Sequence, residues 1–538
     1  MKEGIQPMAP RASASRALLL PVLVSLMLLA PGSSRGQDTP FELLETTIKD
    51  IHEAYRSGQL TASQLVQLYL DRIEAYDQKG PTINSIITLN PRALQEAEKL
   101  DAAMKSSGFV GPLHGIPVIV KDQADAKGMP TTLGSVVLKD YYPGKDAFVV
   151  ARLREAGAII LAKATLGEFG GGGTYGSLFG VTRNPYDLER TVGGSSGGPG
   201  GSIAANFATV AVGQEGRASI RRPSAWNSLV GMRATGGLVS RTGVLAGWPS
   251  KAGSLGPMTR TVEDLARLLD VMVGYDPEDP LTAQGVGHIP DSYTEFLDRK
   301  GLLGARVGIL RESIGYKSEP GSPDFMKVSS VFDRAVGELK SAGAEIVDPV
   351  IIPNLKPLLA KRTFGPDGLE SFRLYFRSPN APFSSPQELL QLPDFSKIFP
   401  PRQVGLRRLA EGQFDTAKHY QFLLARQELM TNLLKVMADH KLDVIVHKSV
   451  EHQPTLISAG INPPYVAHKG VPDLNTFLVF VPTITVPAGF TTQNLPVGIS
   501  FLGRPYSDAV MIKLAYAYEQ ATLHRRPPAT TPALDDRP

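Results

Sequence analysis

Ile116-Pro117-Val118-Ile119-Val120-Lys121-Asp122 is an apolar, mostly β-branched run that ends abruptly on two charges. Branching at the β-carbon favours extended backbone, and a strand without polar alternation is one covered on both faces. Similar short runs recur at Ile159–Ala162, Ala208–Val212, Val307–Leu310, Glu345–Val350 and Val444–Val446. Helical patterns separate them. Thr61 and Gln64 form a capping box that opens a stripe of Leu65, Leu68, Tyr69, Ile73 and Tyr76. Further helices are predicted over 91–104 and 148–155, from a Thr261/Asp264 cap through Val273, and at about 322–342 and 414–440. Strands alternating with helices imply an α/β fold in which helices cover a sheet.

The remaining sequence sets limits on that fold and its chemistry. Nothing between 41 and 525 reads as a linker, so the 538 residues are expected to hold one large domain after a leader. The least regular region is 352–404, broken by nine prolines from Pro353 to Pro401; it is expected to be a surface cover or a binding loop. Basic and acidic residues nearly balance, 56 against 52, which gives no bulk electrostatic case for nucleic acid or a membrane surface. The absence of cysteine excludes disulfides, cysteine nucleophiles and thiolate metal sites. The nine histidines include no pair at zinc-protease spacing, so no metal is expected. At the N-terminus, Lys2, Arg11 and Arg16 precede a 13-residue apolar run, Leu18 to Ala30. It is too short to span a bilayer comfortably, and small residues at Ser34 and Gly36 place cleavage before Gln37. Residues 1–36 are therefore expected to be an export signal, with a periplasmic or secreted mature protein over 37–538 that has no stable membrane span.

Unusual local chemistry is concentrated between Gly111 and Arg260. Lys121, carried out of a buried strand, should be partly desolvated; that disfavours its ammonium form, although a lysine snorkelling from a strand end has the same sequence signature. Gly193-Gly194-Ser195-Ser196-Gly197-Gly198 sets two hydroxyls among glycines, as a presenting loop or simply a flexible turn. Gly213 to Pro223 reads Gly-Gln-Glu-Gly-Arg-Ala-Ser-Ile-Arg-Arg-Pro after a strand-like run. Its successive amides at Gly216, Arg217, Ala218 and Ser219 suit an oxyanion nest, with Glu215 and Arg221 paired to hold the turn; a charged surface turn reads the same way.

Taken together and in this order, the three features resemble the amidase signature family, whose members carry a lysine after a strand, a Gly-Gly-Ser-Ser-Gly-Gly loop and a Gly-Ser-Ile-Arg-x-Pro segment. The resemblance extends to Gly111-Pro112-Leu113-His114-Gly115-Ile116-Pro117, Ala162-Lys163-Ala164-Thr165, Asn184-Pro185-Tyr186, Gly256-Pro257-Met258-Thr259 and Leu495-Pro496-Val497-Gly498, and covers about residues 41–525. It implies a single-domain α/β/α sandwich around a large mixed, twisted sheet, and hydrolysis of an amide C–N bond through an acyl-enzyme. Ser219 would be the nucleophile. Ser195, next to a non-prolyl cis peptide, would relay its proton to Lys121; the amides of 216–219 would hold the oxyanion, with Ser196, Glu215 and Arg221 supporting. No cofactor is implied. The partner is a small-molecule amide, met by a monomer or homodimer. Gln214, Gly216, Ala218 and Leu166 depart from the family pattern, and these departures bear on the shape of the oxyanion pocket and on the substrate preference.

Two other readings stand beside this one. Gly193-x-Ser195-x-Gly197 also fits a nucleophile elbow with Ser195 attacking, as in an α/β-hydrolase esterase, provided a strand leads into it. A catalytically silent or partner-dependent protein, like the amide-hydrolysing component of a tRNA-dependent amidotransferase, is the second. With no charged recognition cluster visible in the sequence, the expected substrate is a neutral, partly hydrophobic amide, anilide or carbamate. Trp226, Trp248 and the 352–404 segment are the candidates for bordering its acyl site.

Overall fold

In the computed structural model, which describes residues 41–251 and 253–534, the run ending at Lys121 is a strand buried along its whole length. It is one of eleven in a single sheet: β1 (Ile86–Leu89), β2 (Pro117–Lys121), β3 (Ile159–Ala164), β4 (Val210–Glu215), β5 (Val230–Arg233), β6 (Ser254–Thr259), β7 (Arg306–Ile309), β8 (Glu345–Val347), β9 (Val444–Lys448), β10 (Thr483–Phe490) and β11 (Pro496–Leu502). Across the sheet the order is β1-β3-β2-β4-β6-β5-β10-β11-β9-β7-β8. Strands β3, β2 and β4 are parallel, as are β9, β7 and β8. The strands between β4 and β9 pair antiparallel throughout, so the sheet is mixed. Helices flank it, and the described residues form one unit.

The expected helices are present with their caps. Ala62–Arg72 opens on the reciprocal Thr61–Gln64 bonds, and Val262–Met272 opens where Thr261 accepts from the Asp264 amide. Phe148–Glu155, Pro323–Ser341 and Thr416–Asp439 match their predicted spans closely, and the helix expected over 91–104 runs Ala93–Ser107. One stripe behaves differently: beyond Arg72 it widens into a π-helical turn, Ile73–Gln78. Buried Asp77 in that turn accepts from the Ser85 and Ile86 amides and ties it to the start of β1.

The proline-rich 352–404 region is more ordered than its composition suggests. It holds the helices Leu355–Leu359, Asp367–Tyr375 and Pro386–Leu390 and the 3₁₀ turn Pro393–Lys397, and leads into the helix Pro400–Glu411. Pro386, Pro393 and Pro400 each begin an element, where the missing N–H is not required and the fixed φ is already helical. Phe372, Phe376, Phe383, Leu389 and Phe395 pack against Leu133, Leu138, Tyr141, Phe169 and Leu245, giving the cover a small core of its own. The expected export signal and its cleavage point at Gly36–Gln37 lie outside the described residues. No described helix is long and apolar enough to cross a membrane.

Candidate active site

Lys121 and Asp122 are neighbours with opposite fates. Alternation along a strand sends successive side chains to opposite sides. Asp122 meets Lys163 of β3 at 2.9 Å, both fully buried, and also accepts from Thr132. Lys121, equally buried, has no carboxylate within 4 Å among the described residues. Its Nζ lies 2.9 Å from Ser195 Oγ, 3.3 Å from the Gln214 carbonyl and 3.5 Å from Gln214 Oε1. Burial without an ion-pair partner brings its pKa down to about 7; the Arg222 cation adds to the drop and Glu215 opposes it.

Ser195 follows a cis Gly194–Ser195 peptide and is completely buried. Its Oγ lies 3.1 Å from Ser219 Oγ, so Lys121, Ser195 and Ser219 form one continuous chain of hydrogen-bonding groups. Ser196 locks the serine loop to the end of β4: its hydroxyl donates to the Gln214 carbonyl and accepts from the Gln214 amide, both at 3.1 Å, while its own amide donates to the Ser219 carbonyl. Glycine is required at 198, because a β-carbon there would lie 2.3 Å from the Thr165 carbonyl oxygen. Gly198→Ala is therefore expected to cost about 1–3 kcal/mol through forced displacement of backbone. Urea unfolding of the variant measures this, and an unchanged midpoint would contradict the packing.

The third segment turns on Glu215, whose carboxylate accepts from the Ile220 and Arg221 amides, from Arg221 Nε at 2.8 Å and from Asn475 Nδ2. Burial by itself pushes this carboxyl up, but the Arg221 guanidinium and amide together hold it below its ordinary value. The expected Glu215–Arg221 pair is present with both side chains fully buried. With the turn gripped from beneath, the amides of Gly216, Arg217, Ala218 and Ser219 find no acceptor among the described residues. All four residues line a cavity of about 1080 Å³. Ser219 is partly exposed to it, whereas Ser195 and Lys121 lie buried behind. Ser195 therefore has no face open to a substrate, and the stretch before it is the short hairpin Arg183–Asn184 with Asp187–Thr191, not a strand of the main sheet.

Besides the 216–219 turn, the cavity is lined by Gly170–Gly172, by the 352–404 cover through Arg362, Phe364 and Arg402, and by the helix Thr416–Asp439 through Phe422 and Arg426. Neither tryptophan lines it. Trp226 is buried with its Nε1 donating to the His452 carbonyl, and Trp248 borders a separate cavity of about 690 Å³ beside Tyr375. Five arginines line the main cavity: Arg217, Arg222, Arg362, Arg402 and Arg426. The sequence showed no such cluster, because these residues are scattered over some two hundred positions and no local pattern marks them. Arg217 is already paired with Asp473, and Arg362 lies 3.9 Å from the same carboxylate.

Comparison with known proteins gives a consistent picture. A family model described as Amidase matches residues 64–512. A probable amidase of Arabidopsis thaliana, At4g34880, is 33% identical over 543 residues, covering 96% of this chain and 98% of that one. A glutamyl-tRNA(Gln) amidotransferase subunit of Alkaliphilus metalliredigens is 34% identical over 490 residues, covering 88% and 96%. Among solved structures, native peptide amidase from Stenotrophomonas maltophilia superposes with a TM-score of 0.78 at 33% identity, covering 91% of this chain and 100% of that one.

Proposed function

The chain belongs to the amidase family, an amide-hydrolysing C–N hydrolase, and on that footing we propose that Ser219 is its nucleophile and that Lys121 and Ser195 form its proton path. Neutral Lys121 takes the Ser195 proton as Ser195 takes that of Ser219, and Ser219 Oγ adds to the amide carbonyl. The negative charge that forms on the carbonyl oxygen is held by the amides of 216–219, each such donor being worth about 3–4 kcal/mol. The proton then returns along the same path to the leaving nitrogen, the C–N bond breaks, and water resolves the acyl-serine by the reverse route. The observation that carries this reading is the unbroken chain of 2.9 Å and 3.1 Å contacts from a desolvated lysine to a cavity-facing serine.

Phe364, Phe422, Phe477 and Phe480 line the cavity and favour a partly hydrophobic amide, anilide or carbamate; the likeness to a peptide amidase adds peptide amides to that class. The expectation of a neutral, partly hydrophobic substrate took no account of the five arginines that line the cavity.

The test is a fluorophosphonate reaction with the isolated chain, followed by mass spectrometry of the adduct. Modification at Ser219 is the expected result. Modification at Ser195 favours the esterase reading. A folded but unlabelled chain favours a protein that acts only with a partner, the reading suggested by the amidotransferase relatives.

A further inference from the structure

Among the described residues, two of the cavity arginines make neither a guanidinium hydrogen bond nor an ion pair within 4 Å. The Arg402 guanidinium has no hydrogen-bond acceptor and no carboxylate within 4 Å among the described residues. Its nearest acid, Glu168, is already engaged by Ser177 Oγ and the Phe399 amide. Arg426 lies over the face of Phe422, at 5.7 Å, and feels the charge of Asp367 without a hydrogen bond or an ion pair within 4 Å among the described residues. The single acidic side chain among the described lining residues is Asp367.

A guanidinium does not give up its proton at working pH, so a half-buried one without a partner is a standing electrostatic cost. The wall is shaped to admit this one. An Arg402 terminal nitrogen lies so close over Gly171 that a β-carbon on that residue would be 1.5 Å away. The next residue, Gly172, gives its carbonyl to Arg222, whose Nε donates to the Gly194 carbonyl at 2.7 Å, beside Ser195. One continuous strip of wall thus runs from the serine loop to the free guanidinium.

We propose that the substrate is an amide bearing a carboxylate at a distance from its scissile bond, and that Arg402 receives that carboxylate, with Arg426 adding to the positive field. This rests on the amide-hydrolase reading above. Arginine suits the role because its planar fork meets a carboxylate through two parallel N–H bonds. The rest of such a substrate lies along the phenylalanine lining, so the apolar and charged parts of the cavity serve one molecule.

The test compares matched pairs on the purified chain: the mono-4-nitroanilides of succinate, glutarate and adipate with their methyl esters, and 4-(butyrylamino)benzoate with its methyl ester. The acid is expected to exceed its ester in kcat/KM by at least about tenfold in one pair. Arg402→Gln brings that ratio to about one, and Arg402→Lys, which keeps the charge but loses the fork, leaves a reduced ratio. A ratio near one in every pair, or a preference unchanged in Arg402→Gln, overturns the proposal. Should Arg402→Gln fail to fold by circular dichroism, an unchanged ratio in Arg402→Lys overturns it instead. Fluorophosphonate labelling of Ser219 separates the two levels. Labelled enzyme without acid preference sinks the carboxylate alone, while no labelling and no turnover of any pair sinks the hydrolase reading with it.

Discussion

Lys121→Ala is expected to lower kcat/KM for amide hydrolysis at neutral pH by roughly 10³–10⁴-fold, the upper part of the range for a positioned general base. The physical case is the disposal of one proton. Ser219 cannot attack without losing its hydrogen, Ser195 can take that hydrogen only by passing on its own, and the only side-chain base contacting Ser195 Oγ among the described residues is Lys121, at 2.9 Å. Alanine leaves the serines aligned with no sink behind them. The same reasoning fixes the pH profile. The working form is the neutral amine, so wild-type kcat/KM should rise with pH and level off above about 7, the value to which burial brings this lysine. The acidic limb should be missing from the residual activity of the variant. Steady-state rates from pH 5.5 to 9 check both points, and a variant within threefold of wild type would remove Lys121 as the base.

Glu215→Gln is expected to give the largest loss of stability, about 3–5 kcal/mol, because it leaves Arg221 charged and buried without its counter-ion. The damage should reach catalysis as well. Glu215 Oε2 accepts from both the Ile220 and Arg221 amides, so its carboxylate sets the turn that presents the 216–219 amides to the cavity. Gln retains the shape but must aim an NH₂ group at one set of donors. Denaturant unfolding measures the stability term, and a loss below about 1 kcal/mol contradicts the account of a structural ion pair. Replacing both partners, Glu215→Gln with Arg221→Met, should cost less than the two single changes summed, since no uncompensated charge then remains.

The parts of this protein legible from its residues alone are the local ones. The β-branched run before Lys121, the caps at Thr61 and Thr261, and the helices 148–155 and 323–341 depend on residues within a few positions of one another, and their predicted spans match the structure closely. The three motif segments were legible for the same reason: each is short, and each carries its own glycines, hydroxyls or charges in order. Other strands were harder to read. β5, β6, β10 and β11 lie in the middle of the sheet with residues such as Gly231, Pro257, Pro487 and Gly498 in them, so their extended form owes more to pairing on both sides than to propensity.

Other properties arise only when distant segments meet in the folded chain. Lys121 is stripped of a carboxylate partner because Asp122 turns instead to Lys163, 41 positions further along the chain, a choice made by β2–β3 pairing. The prolines of 352–404 read as disruption in sequence; in the fold they begin helices whose apolar residues pack against Phe169 and Leu245, and one of those helices brings Arg402 to the cavity. The five arginines have no pattern in sequence because charge near a substrate is counted through space. Two of them share Asp473 and three have no carboxylate within 4 Å among the described residues, and that imbalance exists only in the folded chain.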